Sequence, residues 1–418
     1  MDIYLVGGAV RDELLGLAVK ERDWVVVGAT PEELQARGFK PVGKDFPVFL
    51  HPDTKEEYAL ARTERKSGPG HTGFVFHTAP RITLEQDLIR RDLTINAMAR
   101  APDGTLIDPF NGRADLEARR LRHVSEAFVE DPLRVLRVAR FAARYHHLGF
   151  KVAEETEEMM TRITLSGELF RLPAERVWKE TSRALMERSP QMFFKTLHDC
   201  GALADLFPEL ADLDGIPQAP EHHPTVDVLT HQWRCLAQAG RQNLRLTPRY
   251  ALLCHDIGKS MTPPDGWPAH RGYELRGENL SRKMSERLKV PKEMADAAAT
   301  MARWQNQAHR ALKLRPPVVL QLLRTLDVLR RPRRLKFLLD ACEADARTCA
   351  ADPKAPFPQG PFLMGAAEII RTVDVAGLRE AGLSGPALGR ALDDKRIRAL
   401  KEYKKEFLEQ WQQQDPSP

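Results

Sequence analysis

Two carboxylates, Glu21 and Asp23, stand two residues apart at the start of the apolar segment DWVVVG. In a β-strand, residues i and i+2 face the same side, so both side chains would point in one direction. Two negative charges this close repel each other unless a cation or a proton lies between them. The pair is therefore a candidate divalent-metal site, and a solvated strand end is the alternative.

A glycine pair ends the segment IYLVGG and precedes the helical pattern AVRDELLG. A strand, a tight glycine turn and a helix start present backbone N–H groups to an anion, and Arg11 adds a cation. The pattern fits neither the dinucleotide-binding motif nor the P-loop. Beside Glu21 and Asp23, this turn favours metal-assisted phosphoryl or nucleotidyl transfer, in which the carboxylates hold Mg²⁺.

Arginines follow in two further segments. IRRDLTINAMA places Arg90 and Arg91 beside Asp92, and the forked guanidinium suits triphosphate oxygens. In EDPLRVLRVARFAARY, Asp131 precedes a proline and is a candidate helix N-cap. The arginines of this segment share one arc of the predicted helix, which is typical of an anion-binding face or of a solvated one: Arg134, Arg137, Arg140 and Arg144.

Short strand patterns alternate with helical ones up to about residue 110, and long amphipathic helices follow. The sequence predicts an α+β protein with a small α/β head at 1–115, a helical neck at 116–210, a helical body at 225–350 and a helical tail at 360–418. Proline-rich stretches near 208–224 and 352–361 mark two of the boundaries. We expect the last segment, DDKRIRALKEYKKEFLEQWQQQ, to form a charged, solvated helix.

The composition excludes several classes of protein. The 418 residues include five cysteines without CxxC spacing, which argues against a disulfide framework or a zinc finger and favours a cytoplasmic location. The apolar runs are too short to span a membrane, and the start lacks the pattern of a secretory signal. The segment from Arg310 to Lys336 carries nine basic residues and one acid, so it is a candidate polyanion-binding surface.

Four motifs together, YLVGGAVRDELLG, KERDWVVVG, RRDLTINAMA and EDPLRVLRVARFAARY, resemble the class II tRNA nucleotidyltransferases, the bacterial CCA-adding enzymes of the multidomain type. The resemblance implies addition of C, C and A to the tRNA 3′ end from CTP and ATP, without a nucleic-acid template. It assigns Mg²⁺ binding and catalysis to Glu21 and Asp23. It also assigns nucleotide contacts, with Asp131 and Arg134 reading the edge of the incoming base, to Gly8, Arg11, Arg91, Asp131, Arg134, Arg137 and Arg140.

A second motif, His255-Asp256 in RYALLCHDIGKS, resembles the HD phosphohydrolase signature. With His231 as a further ligand, the pair is a candidate site for a second divalent transition metal. Relatives carry another His-Asp pair where this chain has Gln305-Asn306, and neutral amides are poor metal ligands. We therefore expect a tRNA-binding scaffold, unless other side chains supply the missing ligands: Glu274, His270 or His309.

Two alternatives to the CCA-adding enzyme remain open at this point. A bacterial poly(A) polymerase shares the first four motifs, but the HD-like segment and the lack of a long basic C-terminal extension argue against it. A metal-dependent phosphohydrolase with an auxiliary head is the other alternative, and Gln305-Asn306 argue against that. The expected partners are tRNA, CTP and ATP, with no membrane, and the sequence does not predict an oligomeric state.

Overall fold

The computed structural model describes residues 1–42, 48–66, 74–219, 227–350, 352 and 354–414. The chain divides into two compact units, Met1–Pro208 and Glu209–Pro418. Within the described ranges, no helix combines the length and the apolarity needed to cross a membrane. The four-part division predicted from the sequence stays a prediction, and the predicted boundary near residue 224 lies partly outside the described residues.

The first part of the N-terminal unit alternates strands and helices: β1 (Asp2–Val6), α1 (Gly8–Leu14), β2 (Asp23–Val27), α2 (Pro31–Ala36), β3 (Lys40–Val42), β4 (Val48–Leu50), β5 (Glu57–Leu60), β6 (Arg62–Lys66), β7 (Phe74–Thr78), α3 (Leu84–Leu88), β8 (Ala99–Arg100), β9 (Leu106–Ile107), α4 (Gly112–Glu117) and β10 (Arg120–Leu121). Helices then dominate: α5 (Leu133–Tyr145), β11 (Lys151–Val152), α6 (Glu154–Leu165), α7 (Ala174–Leu185), α8 (Gln191–Asp199), α9 (Ala202–Leu206) and α10 (Pro208–Ala211). An α+β fold is thus confirmed.

The main sheet has the strand order β3-β4-β5-β2-β1-β8-β9. The strand β2 runs antiparallel to β1, with Asp23 opposite Val6, and parallel to β5, with Asp23 opposite Glu57. Apolar side chains cover both faces, one face around Val25 and the other around Val26. Because β1 ends at Val6, the glycine turn follows directly beside the first residue of β2.

The named elements of the second unit within its described residues are helices: α11 (Val228–Arg241), α12 (Leu246–Cys254), α13 (Tyr273–Arg287), α14 (Lys292–His309), α15 (Pro316–Thr325), α16 (Arg333–Cys349), α17 (Gln359–Thr372), α18 (Ala376–Glu380) and α19 (Gly385–Gln414). Short 3₁₀ segments occur in both units: Thr94–Asn96, Glu126–Glu130, His146–Leu148, Glu168–Arg171, Ile257–Met261, Pro264–Gly266 and Ala311–Lys313.

The C-terminal helix α19 differs from its prediction. Leu400 is buried and belongs to the same hydrophobic cluster as Leu323 of α15 and Ile370 of α17. Other apolar residues of α19 pack on this cluster, at the spacing of three or four that places them on one helix face: Ile397, Tyr403 and Phe407. The expectation of a solvated helix is therefore wrong for this face, since the many charged residues between these positions obscure the apolar stripe.

Candidate active site and a second polar cluster

The predicted metal-binding carboxylates lie at the mouth of β2. Asp23 is the first residue of the strand, whereas Glu21 precedes it and is exposed, so the two-residue strand spacing does not apply to Glu21. Partial desolvation raises the pKa of Asp23, the nearby Arg91 opposes this shift, and the negative charge of Glu21 adds to it. The two carboxylates are thus close enough to interact, as the sequence predicts.

The turn beside Asp23 requires glycine. Gly7 has a φ of 67°, in the left-handed region that favours glycine, and its N–H donates to the carbonyl of Met98 at 3.2 Å. A Cβ at this position would lie 2.8 Å from Nη1 of Arg91. Arg91 therefore lies directly against the turn, and Gly8 begins α1 immediately after it.

A buried carboxylate, that of Asp87, pairs with the guanidinium of Arg91. Its Nη2 donates to Oδ2 of Asp87 at 3.1 Å, and its Nη1 donates to the carbonyl of Asn96 at 3.4 Å. Burial alone would raise the pKa of Asp87, but the adjacent arginines hold it below its ordinary value. The Nε of Arg91 is buried with no hydrogen-bond partner among the described residues. One donor of this side chain is therefore unsatisfied within the described residues.

Arg11 is 3% exposed and ties α1 to α5. Its guanidinium donates to Asp12 and to Asn96, and it lies 5.1 Å from the ring centre of Tyr145. Asp12 also accepts from the hydroxyl of Tyr145 at 3.0 Å and from Arg144 at 3.1 Å. The predicted nucleotide contact of Arg11 stays a prediction, because the structure shows a buried charge network at this position.

Arg137 pairs with Asp92 at 2.7 Å, and Asn96 donates to the same carboxylate at 2.9 Å. Burial would raise the pKa of Asp92, but Arg137 and Asn96 hold it well below its ordinary value. In return, Asp92 raises the pKa of Arg137. The motif RRDLTINA therefore supplies a counter-ion to the arginine helix.

The two residues predicted to read the base are already engaged. Both terminal nitrogens of Arg134 donate to backbone carbonyls, those of Ala127 and Arg90, at 2.6 Å each. Asp131 accepts from Arg176 of α7 at 3.0 Å. Their contact with an incoming base stays a prediction. It would require these hydrogen bonds to break or the same groups to form additional ones.

Arg140 is buried and pairs with Glu180 of α7 at 2.5 Å. Three of the four arginines on this face of α5 thus pair with carboxylates from other elements, whereas the sequence suggested a free anion-binding face or a solvated one. The partners lie far away in the sequence: Asp92 for Arg137, Glu180 for Arg140 and Asp12 for Arg144. Glu57, which lies opposite Asp23 in the sheet, was not among the predicted site residues, and the strand pattern EEYALAR was its only signal.

In the second unit, four buried side chains bring their ligand atoms within 4.8 Å of one another: His231, Cys235, His255 and Asp345. Two of the three predicted metal ligands, His231 and His255, are thus brought together. The third, Asp256, is not a member of this group. Its carboxylate accepts from Lys259 at 2.7 Å and from Gln305 at 3.1 Å.

The side chains considered as replacement ligands make other contacts. Glu274 accepts from Asn306 at 2.8 Å, and Nε2 of His270 hydrogen bonds to the carbonyl of Pro217 at 2.7 Å. His309 lies 2.8 Å from Asp345. Of the three, only His309 contacts the buried cluster, and it does so through a carboxylate that already belongs to it.

Comparison with known proteins finds two matching family models in the N-terminal part of the chain. Residues 3–122 match the family model described as the poly A polymerase head domain, and residues 149–213 match the one described as the probable RNA and SrmB-binding site of polymerase A. The N-terminal unit is thus a nucleotidyltransferase head followed by the helical region that accompanies it.

Two relatives are similar over nearly the whole chain. A Multifunctional CCA protein of Alcanivorax borkumensis is 62% identical and covers 98% of this chain and 100% of its own length. One from Pseudomonas syringae is 55% identical and covers 97% and 99%. The chain therefore belongs to the class II CCA-adding tRNA nucleotidyltransferases. A crystal structure of the Bacillus stearothermophilus CCA-adding enzyme in complex with CTP shares the fold, with a TM-score of 0.65, 24% identity and coverage of 99% of this chain and 94% of that one.

Proposed function

We propose that this chain adds C, C and A to the 3′ end of tRNA, taking CTP and then ATP as substrates and using no nucleic-acid template. The relatives that cover the whole chain are CCA proteins, and similar folds occur in a CCA-adding enzyme with CTP and in one from Thermotoga maritima with tRNA. The main structural support is the register between β1 and β2, which sets Asp23 beside the glycine turn and Arg91.

We assign the catalytic metal site to Glu21 and Asp23. Nucleotidyltransferases of this family use divalent metal ions, and carboxylate oxygens suit a hard cation such as Mg²⁺. The donor set fits, because Asp23 has Glu21 ahead of it and Glu57 opposite it in the sheet. A bound Mg²⁺ supplies charge neutralisation and activation of the attacking 3′-hydroxyl, which displaces pyrophosphate from the α-phosphate.

Among the predicted nucleotide contacts, Arg91 has the strongest support. It lies against the glycine turn, its charge reaches Asp23, and its Nε donor has no partner within the described residues. We assign it to the triphosphate, together with the backbone at Gly8. Three other arginines are balanced by carboxylates of the protein, so we propose that they position the site as well as contact the nucleotide: Arg11, Arg137 and Arg140.

We propose that Asp131 and Arg134 select the base. A carboxylate accepts from the exocyclic amine that cytosine and adenine share, and a guanidinium donates to base acceptors. Arg134→Ala should therefore increase the incorporation of UTP and GTP by a larger factor than it increases the KM for CTP. Full discrimination in this variant, measured with each nucleotide alone, would contradict the assignment.

The direct test is a gel assay with a tRNA transcript that lacks its CCA end, supplied with Mg²⁺ and with CTP, ATP or both. We expect two additions with CTP alone and a third only when ATP is also present. Asp23→Asn should abolish addition and retain tRNA binding, measured by gel shift. Long A tails with ATP alone would indicate a poly(A) polymerase instead, and addition by Asp23→Asn at the normal rate would place the metal elsewhere.

RNA binding beyond the head has two candidate regions. Residues 149–213 match an RNA-binding family model, and the basic segment 310–336 exposes most of its charges. We propose that both contact tRNA and that the protein works in the cytoplasm. A phosphohydrolase activity is not part of the proposal, because both oxygens of Asp256 are bound by Lys259 and Gln305.

A further inference from the structure

One buried amide, that of Asn96, lies among three of the arginines assigned to the nucleotide. Oδ1 of Asn96 accepts from Nη1 of Arg11 at 2.5 Å, and its backbone carbonyl accepts from Nη1 of Arg91 at 3.4 Å. Its Nδ2 donates to Oδ1 of Asp92 at 2.9 Å, and Oδ2 of the same carboxylate accepts from Arg137 at 2.7 Å. Asn96 thus contacts two of these arginines directly and the third through one carboxylate.

The two neighbours of this amide fix its orientation. A guanidinium has only donors, so the amide atom that faces Arg11 must be the oxygen. Burial would raise the pKa of Asp92, but Arg137 and the amide hold it well below its ordinary value, so this carboxylate is charged at neutral pH. A charged carboxylate has only acceptors, so the amide atom that faces it must be the nitrogen. Aspartate has the same shape without the donor, and alanine has neither group.

The 3₁₀ segment Thr94–Asn96 holds the amide in place. The N–H of Thr94 donates to the carbonyl of Arg122 at 2.9 Å, and its hydroxyl donates to Asp115 at 2.7 Å. A Cβ at Gly112 would lie 2.3 Å from the carbonyl oxygen of Thr94, so the segment packs directly on the start of α4. None of these three partners is among the residues assigned to the nucleotide or the metal. The segment is therefore anchored independently of the groups that its last side chain contacts.

Exposure distinguishes this amide from the groups that can meet a ligand. Asn96 is 6% exposed, whereas the side chains of Arg91 and Arg137 are 20% and 36% exposed. A nucleotide can therefore reach these two arginines, and Asn96 acts on them from the protein interior. A guanidinium whose donors already have a fixed direction binds a phosphate with better geometry and loses less conformational entropy on binding.

We propose that Asn96 is a positioning residue of nucleotide addition, which holds Arg11, Arg91 and Arg137 in the arrangement that receives the triphosphate. This inference rests on the assignment of these arginines under the proposed function. Asn96 does not contact the substrate; it accepts from one guanidinium and directs the carboxylate of Asp92 toward another. The three cations are paired with carboxylates of the protein, so replacing the neutral amide changes their directions and leaves the charge of the site the same.

The test compares Asn96→Ala with Thr94→Val in the full-length protein. Thr94→Val is the matched control, because it removes a buried hydroxyl that hydrogen bonds to Asp115 from the same 3₁₀ segment. We expect Asn96→Ala to raise the KM for CTP and to lower kcat/KM by roughly 10- to 100-fold, as for lost hydrogen bonds to charged groups. Thr94→Val should lower the melting temperature and leave the KM for CTP near the wild-type value. Binding of tRNA, measured by gel shift, should be the same in both variants.

Asn96→Asp provides a second readout, which a purely structural role would not change. The new carboxylate would face Asp92, and two carboxylates this close share one proton. The protonated form offers a donor to Asp92 and an acceptor to Arg11, as the amide does. We therefore expect the activity of this variant, relative to the wild type, to rise as the pH falls from about 8 to about 6. The wild type corrects for the other charged groups around this position: Asp12, Arg91, Arg134 and Arg137.

Calorimetric titration with CTP and Mg²⁺, without tRNA, separates this inference from the proposed function. If the wild type binds CTP but adds none to tRNA, the proposed function fails, and weaker binding by Asn96→Ala still supports the role of the amide. Wild-type KM and CTP affinity in Asn96→Ala, or an equal loss of activity in Thr94→Val, would overturn the inference. If Asn96→Ala does not fold, the pH profile of Asn96→Asp decides, and a ratio to the wild type that is constant with pH overturns the inference.

Discussion

The buried pair of Arg140 and Glu180 allows a structural role to be separated from a nucleotide-binding one. The side chains are 9% and 4% exposed, and Nε of Arg140 lies 2.5 Å from the carboxylate. Arg140→Met leaves Glu180 buried without its counter-ion, which costs about 3–5 kcal/mol. For a unit of this size, each kcal/mol lowers the melting temperature by about 2–4 °C, so we expect a decrease of roughly 10 °C.

The double variant Arg140→Met/Glu180→Met removes both charges. Replacing a buried ion pair by apolar side chains of similar volume is often neutral or stabilising, so most of the lost stability should return. Calorimetry of the wild type, both single variants and the double variant provides the measurement. A double variant as unstable as Arg140→Met, or a single variant that melts like the wild type, would refute the reasoning.

The same double variant tests the predicted nucleotide contact. If Arg140 only supports α5 against α7, a stable double variant should add CTP with nearly the wild-type KM. If Arg140 also contacts the triphosphate, the KM should rise although the melting temperature is restored. Glu180→Met alone is a poor control, because it leaves the arginine buried and unpaired.

Two further predictions concern the head. Gly7→Ala and Gly16→Ala both place a side chain at a φ of 67°, which costs about 1 kcal/mol or more, and Gly7→Ala should be the less stable of the two because its Cβ would also lie 2.8 Å from Nη1 of Arg91. A Cβ at Gly16 meets nothing within 4 Å, so only Gly7→Ala should lower kcat/KM for CTP addition; equal activities would contradict the placement of Arg91. Asp92→Asn should be less stable than the wild type at pH 7. Because the pKa of Asp92 is depressed by Arg137, its charged form stabilises the fold above about pH 4, and the difference in melting temperature should shrink below that pH; a constant difference would argue against this linkage.

The glycine turn and the position of Asp23 could be predicted because the patterns that indicate them lie within short segments of the sequence. A strand ending at Val6, a glycine turn and a helix start occupy one short segment, and Asp23 begins the next strand. The expected alignment of Glu21 on the strand failed, since the hydrogen-bonded pairing of β2 with β1 starts only at Asp23. Local patterns thus indicate which residues meet but not where the strand begins.

The partners of the arginines could not be predicted from the same patterns. A helical wheel shows that Arg137 and Arg140 share an arc, but their counter-ions lie 45 and 40 residues away in the sequence. The absence of acids between Arg134 and Arg144 suggested a surface for an external anion. Burial reverses this inference, because an arginine that loses water needs acceptors from the protein itself, and carboxylates supply them for Arg137 and Arg140.

In the second unit, too, local sequence patterns did not predict which side chains lie together. The motif His255-Asp256 directs attention to adjacent residues, whereas Cys235 and Asp345 join the cluster only through helix packing. A local signal did exist, since Cys235 follows His231 by four residues, the spacing of ligands on one helix face. The amide of Gln305 satisfies Asp256 as a donor and offers no lone pair from that nitrogen to a metal. Within the described residues, Nε2 of His255 has no hydrogen-bond partner, and no local pattern in the sequence predicts this.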